Sequence, residues 1–315
     1  MTGTHPWTVA VLGPGGVGGL LAALLARAGH RVICLAGEET AATLRRDGIR
    51  VRSSAFGGFT ARVEADTELR EPADACLVTV KHTALAAALE RVPPAALGGG
   101  LVVPLLNGIE HPALLRRRYR PEQMAPGVIR VESTRVAPGV IEHGSPFAEV
   151  DLAGAAVDGD RLDALAEVLT AAGVPTRVRD DEAAALWAKM AFLAPMALLT
   201  TRYGLTVGAV REERRAELLA VVEETAAVSG AAGCPVDTAA ILRRFDSFPA
   251  DTRSSMQRDA EAGRPLEVDA IGGALLRAAE RHGVAVPVAA GLVAELSRRA
   301  TPSSGTAAGQ DSHAS

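Results

Sequence analysis

The stretch Trp7-Thr-Val-Ala-Val-Leu12-Gly13-Pro14-Gly15-Gly16-Val17-Gly18 decides how the rest of the chain is read. Trp7–Leu12 is a short continuous apolar run, the pattern of a strand buried on both faces of a parallel sheet. Gly13-x-Gly15-x-x-Gly18 follows at once and opens the helical run Gly19 to Ala28. In that setting the first glycine allows a tight turn and the second lets a pyrophosphate approach the backbone. The third lets helix and strand pack closely, and the helix N-terminus faces the phosphates. Gly13, Pro14, Gly15, Gly16, Val17 and Gly18 are therefore candidate dinucleotide contacts; a purely structural glycine turn is the competing reading.

Working outward, Gly29-His30 closes the helix and Arg31–Leu35 is a second strand, so the chain begins as a strand–loop–helix–strand unit of a doubly wound parallel α/β sheet. A helix is predicted over Ala41–Asp47 and short strands over Ile49–Ser53 and Phe59–Glu64. Asp74–Val80 and Leu101–Leu106 read as further buried strands with the helix Thr83–Arg91 between them. Val128–Val136 and Val140–His143 read as extended, Arg161–Ala172 as a helix and Val174–Val178 as the last strand. From Asp180 the period changes, and Asp180–Leu199, Arg211–Gly230, Val236–Arg244, Glu267–His282 and Val288–Arg299 all carry helical spacing. The expected organisation is a dinucleotide-binding Rossmann-type domain over 1–178, a mostly α-helical substrate and dimerisation domain over 179–300, and a disordered tail over 301–315, which holds no core-forming residue.

Composition bounds the function. With 315 residues, 48% apolar and 22% charged, the chain is globular, and its net charge of −4 gives no reason to expect nucleic acid or an anionic membrane as partner. Three widely spaced cysteines (Cys34, Cys76, Cys234) make neither a disulfide framework nor a zinc motif, so no metal is expected and a reducing cytoplasm is the natural compartment. The N-terminus lacks the basic segment of a signal peptide. The apolar stretch behind it is too short and glycine-broken to span a bilayer. Apolar helix faces in the second half are compatible with a homodimer.

Lysine occurs only at Lys81 and Lys189, against 31 arginines, and asparagine only at Asn107. A drift that replaces lysine wherever any cation serves leaves survivors where a primary amine is needed. Lys81 and Asn107 lie just past the C-terminal ends of predicted parallel strands, the edge where open α/β sheets bind ligands. His82 and His111 flank them; these, like His143, read first as structural or solvated. Lys189 sits in the most apolar part of the second half, where partial burial would lower its pKa into the range of a proton donor near neutrality. Glu267 could balance that ammonium or simply start a helix. After the second strand, Glu38 and Glu39 stand where an acid would bind the ribose hydroxyls of NAD, unless they too are helix-starting acids.

The residues now quoted resemble the 2-dehydropantoate 2-reductases, or ketopantoate reductases. The resemblance runs from Val9 to about Arg299. It rests on the glycine loop, Val78-Thr-Val-Lys81, Leu106-Asn107-Gly108, Leu186-Trp-Ala-Lys189, Ser254-Ser255-Met256, Glu267-Val-Asp269 with Gly272, and His282-Gly-Val-Ala-Val-Pro287. It implies an NADP-dependent oxidoreductase that reduces the 2-oxo group of ketopantoate for coenzyme A biosynthesis. By the same resemblance Lys189 donates the proton, Glu267 contacts the cofactor and orients the site, and Ser255 binds the substrate carboxylate. Lys81 and Asn107 lie beside the nicotinamide and its ribose, with Asn107 also facing substrate, and Thr134 is a further cofactor contact. The chain departs from the family where substrate-binding asparagines are usual, at Leu193 and Ala197 and near Val207. It also departs at Gly37, where an arginine usually grips the 2′-phosphate; NAD thus enters as an alternative. A reductase of a more apolar 2-oxo acid, ketone or imine, and a non-catalytic dinucleotide sensor, are the two rival expectations. Thr200, Thr201, Arg202 and Tyr203 are the residues placed to compensate for the lost asparagines.

Overall fold

The computed structural model describes residues 5–300, so the expected tail lies outside the described residues. The chain runs β1 (Thr8–Leu12), α1 (Gly16–Arg27), β2 (Arg31–Leu35), α2 (Glu38–Asp47), β3 (Ile49–Ser53), β4 (Phe59–Ala61), β5 (Glu64–Asp66) and β6 (Ala75–Val78). It continues through α3 (Leu85–Leu89), α4 (Pro94–Leu97), β7 (Leu101–Pro104), α5 (His111–Leu115), β8 (Gly127–Ala137), β9 (Val140–Ala153), α6 (Gly159–Ala171) and β10 (Thr176–Arg179).

Five strands form a parallel sheet in the order β5-β2-β1-β6-β7. All residues of β6 and β7 are buried, as are all but the first of β1, which is why these strands read as unbroken apolar runs. The strand order reverses between β1 and β6, and a ligand crevice opens at the C-terminal ends of strands beside such a reversal. The loops that carry Gly13–Gly15, Lys81 and Asn107 all leave the sheet at that edge.

The remaining strands make a second sheet, β10-β9-β3-β4, with β8 antiparallel to β9. The expected strand Phe59–Glu64 is corrected here. It breaks at Arg62-Val63 because the chain crosses between sheets: β4 pairs with β3 and β5 with β2. The expected Val140–His143 runs on to Ala153. Gly144 and Pro146 interrupt the sequence pattern, while alternate burial of Ile141, His143 and Ser145 continues through it.

The helical half comprises α7 (Glu182–Tyr203), α8 (Val207–Glu213), α9 (Arg215–Ala231), α10 (Thr238–Ser247), α11 (Ser255–Glu261), a π-helical turn (Asp269–Gly273), α12 (Ala274–His282) and α13 (Pro287–Ala300). Asp181, Asp237 and Ser254 cap α7, α10 and α11 with side-chain oxygens that accept backbone N–H groups. α7 is the core element, packed against α9, α11 and α13. It is long and apolar enough to cross a membrane, yet 67% of its most apolar window is buried in the protein, as befits a core helix. Two predicted helices need correction. Arg211–Gly230 is interrupted at Arg214, and Glu267–His282 opens with the π turn, its glycines pressed against neighbours. A Cβ on Gly272 would lie 2.4 Å from Val293 Cγ2.

The π turn also touches the sheet half. Gly108, directly after Asn107, has φ +91°, and a Cβ there would lie 2.3 Å from the carbonyl oxygen of Ala270. Gly108→Ala therefore meets both backbone strain and a clash. It is expected to lower the unfolding free energy by about 1–3 kcal/mol in urea titrations; a variant as stable as the parent would show that the loop can relax away from the turn.

Candidate active site

The glycine loop has the geometry that a dinucleotide requires. Gly13 has φ +84°, and its N–H bonds to Leu35 O, tying the loops after β1 and β2 together. A Cβ on Gly15 would meet only Gly13 O, at 3.9 Å, so this is the open side of the loop. Gly15 is the N-cap of α1 and supplies no side-chain cap, leaving the first N–H groups of a twelve-residue helix directed at that opening. The other side is closed. A Cβ on Gly18 would lie 2.2 Å from Thr79 Oγ1, and one on Gly16 would lie 2.2 Å from Ser133 O. Thr79, just past β6, donates from Oγ1 to both Leu12 O and Gly13 O at 3.1 and 2.9 Å and so clamps the loop. Thr134 follows Ser133 on β8 beside Gly16, while Pro14 is buried and Val17 half-buried in the turn. The residues present fit a bound nicotinamide dinucleotide. At the end of β2, Gly37 has open space around it. Glu38 begins α2 and pairs with Arg45 at 2.6 Å, the arrangement of a helix-starting acid.

Glu267 stands at the meeting point of the two halves. It is 7% exposed, and its two oxygens accept from different loops. Oε1 takes the His82 N–H at 3.0 Å and Oε2 takes the Asn107 side-chain amide at 3.3 Å. No direct ion pair joins it to Lys189; the two act on each other through charge. Burial pushes the half-buried Lys189 down to about 8, against the opposing pull of Glu267 and with a further push from Arg130. Lys81 takes another route across the cleft: its ammonium lies 2.6 Å from Asp259 on α11, which also binds Arg264 at 2.8 Å. Ser255 is exposed one helical turn before Asp259, on the same face of α11. Lys81, Asn107 and Glu267 are thus brought together through hydrogen-bonded neighbours, and Lys189 through the field of Glu267.

Sequence reasoning passed over several participants. Thr79 sits inside a quoted motif and Asp259 three residues past another, and neither carries a role in the sequence reading. Glu132, paired with Arg258 at 2.8 Å, and Glu110, paired with Arg277 at 2.7 Å, join the halves at distances in sequence that no motif spans. His111 is 1% exposed with neither ring nitrogen bonded. Burial, reinforced by the charges of Lys189 and His82, pushes it down to about 3, so it stands beside the lysine as a neutral imidazole. His143 is structural, bonded to Ser53, Ser145 and Phe147.

The substrate departures also find their places. Leu193 and Ala197 follow Lys189 on the same side of α7 and are buried, whereas Val207 is fully buried in the helical core. Of the proposed compensators, Thr200 donates to Met196 O and shares a hydroxyl–hydroxyl hydrogen bond with Ser254, Arg202 pairs with Glu295, and Tyr203 donates to Glu217. Thr201 Oγ1 is buried without a partner.

Comparison with known proteins identifies the family. A family profile described as Ketopantoate reductase PanE/ApbA matches residues 9–153, and its C-terminal counterpart matches 181–300. The chain belongs to the ketopantoate reductase family. As a ketopantoate reductase family member it is an oxidoreductase that uses a nicotinamide dinucleotide. It is 27% identical to a 2-dehydropantoate 2-reductase of Caulobacter vibrioides, over 93% of this chain and 99% of the relative. The crystal structure of a 2-dehydropantoate 2-reductase from Geobacter metallireducens superposes with TM-score 0.85 at 28% identity, covering 92% and 99% of the two chains. A D-mandelate dehydrogenase with NADH and anilino(oxo)acetate shares the fold at 20% identity, TM-score 0.85, with 93% and 98% covered.

Because the chain has only two lysines, dimethyl-lysine NMR can follow Lys189 directly. Glu267 holds its pKa up, so Glu267→Gln is expected to move the Lys189 titration below its parent value of about 8. An unchanged midpoint would show that the carboxylate does not act on the ammonium.

Proposed function

We propose that the protein reduces 2-oxo acids with hydride from NADPH, ketopantoate to pantoate being the first reaction to test. The observation that carries this reading is the buried carboxylate of Glu267, which binds the two loops at the cofactor edge and acts through charge on the half-buried Lys189. When bound, the nicotinamide supplies the hydride that adds to the carbonyl carbon. Lys189 donates a proton from Nζ to the carbonyl oxygen as the double bond is lost and stabilises the charge developing there. Glu267 keeps that amine protonated to higher pH than burial alone would allow. Ser255 binds the substrate carboxylate, and Lys81, Asn107 and Thr134 contact the cofactor beside the glycine loop. Gly37 leaves a 2′-phosphate without the family's arginine, so NADH is the alternative reductant. The cytoplasm is the proposed compartment, supported by three cysteines that are buried and unpaired.

A second reading keeps the chemistry and changes the substrate to a more apolar 2-oxo acid, ketone or imine. Leu193 and Ala197 favour it, because neither satisfies a substrate hydroxyl. Oxidation of NADPH and NADH at 340 nm, run separately with ketopantoate and with aromatic or branched 2-oxo acids, separates the two readings.

Lys189→Ala is expected to lower kcat by about 10²–10⁴-fold with an unchanged circular dichroism spectrum. Near-parental turnover would remove the assigned role. The pH dependence follows from the same group: reduction needs the ammonium, so kcat should fall as pH rises through about 8, while the reverse oxidation needs the free amine and should rise. Stability has its own sign. The charged form is disfavoured by burial below about 8, and this penalty disappears as pH rises toward the unfolded lysine value of 10.5.

A further inference from the structure

Arg244 on α10 lies with its guanidinium carbon 4.4 Å from the centroid of the Phe192 ring. It is half-buried, and among the described residues it has neither a hydrogen bond nor an ion pair through its side chain. Comparable arginines are committed: Arg130 to Asp151, Arg258 to Glu132, Arg277 to Glu110, and Arg211 to three backbone carbonyls. Burial lowers the pKa of Arg244, and Arg130 lowers it further; Glu149 opposes both without forming an ion pair.

Its location ties it to the lysine. Phe192 precedes Leu193, one turn beyond Lys189 on α7. Arg130 acts on both Lys189 and Arg244, so these cations border one region. Asp151, the carboxylate that Arg130 holds, is taken by Arg130 and by Arg179, at 2.8 and 3.1 Å. A guanidinium stacked on an aromatic face keeps the N–H donors of its edge free, in the fork that matches a carboxylate. A partly desolvated cation without a counter-ion is costly, and a bound anion relieves that cost.

We propose that Arg244 is a substrate-carboxylate anchor that sets specificity: polar recognition, absent at Leu193 and Ala197, is supplied from α10, and the apolar part of the substrate faces Phe192 and Leu193. This deepens the 2-oxo acid reading and rests on it. The carboxylate is either the one next to the reacting carbonyl, then shared with Ser255, or a second one at the far end of a 2-oxo dicarboxylate.

The test compares Arg244→Leu and Arg244→Lys with Arg243→Leu, a control on the same helix whose arginine is exposed and pairs with Asp237. Calorimetry measures oxamate and 2-oxoglutarate binding to protein saturated with oxidised dinucleotide. Kinetics measures a 2-oxo monocarboxylate, its methyl ester and 2-oxoglutarate. Arg244→Leu is expected to raise KM for the anchored acid by about 30-fold or more. It should also abolish the preference for acid over ester, change kcat far less, and weaken binding of the matching anion. Arg244→Lys should recover part of the loss, and Arg243→Leu should behave as the parent. Loss confined to 2-oxoglutarate places the distal carboxylate on Arg244; loss shared with the monocarboxylate places the adjacent one. Unchanged KM and anion affinity in Arg244→Leu, or no binding of either anion to the parent, overturns the anchor. A parent that binds these anions through Arg244 but reduces no 2-oxo acid would support the anchor and defeat the proposed reaction instead.

Discussion

The buried carboxylate of Glu267 is the constraint around which the cleft is arranged. A desolvated carboxylate needs donors, and both come from the sheet half: the backbone of His82 after β6 and the side chain of Asn107 after β7. Meeting that need draws the two loops of the cofactor edge onto the segment that leads into the π turn. Gly108 then has to pass the π-turn backbone without a side chain. The same negative charge offsets the burial of Lys189. One group thus fixes loop position, the approach of the two halves and the protonation of the lysine.

Other bonds across the cleft reinforce this arrangement without setting it. Lys81 with Asp259 and Glu132 with Arg258 fasten α11 to the loop after β6 and to β8. Glu110 with Arg277 fastens α12 to the start of α5. Most of these side chains are partly exposed, where individual ion pairs contribute little. Their weight lies in orientation: they keep Ser255 and its helix facing Lys81 across the cleft.

Much of this was legible in the sequence because it is local. The glycine loop, the apolar strands that flank it and the periodic second half each announce themselves within a short window. The scarcity of lysine and asparagine singles out Lys81, Lys189 and Asn107; Asn107 bonds to Glu267, Lys189 feels its charge, and Lys81 pairs with Asp259 next to the His82 N–H that Glu267 accepts. What escaped was non-local. Nothing in Phe59–Glu64 says that its two ends belong to different sheets. Gly144 and Pro146 hide the continuity of β9, and the π turn depends on what Gly272 meets across the fold. Val207 illustrates the converse: the family pattern puts a substrate asparagine near it, and its own side chain is buried in the helical core. Arg244 had no motif to mark it, and its lack of an anion becomes visible only when Phe192, Arg130 and Glu149 are placed around it.

The second sheet carries a consequence for how the chain assembles. β3 is made by residue 53, but its parallel partner is the start of β9, at Val140–His143. Until that partner exists, β3 has only the short β4, and a lone two-stranded ribbon is marginal in water. The two sheets therefore mature on different schedules. The glycine loop and its neighbouring strands can collapse from early sequence, whereas the second sheet waits for a loop closure across most of the N-terminal half. Gly16 rests against Ser133 of that later sheet, so the nucleotide cradle is finished only by a strand synthesised more than a hundred residues after its glycines.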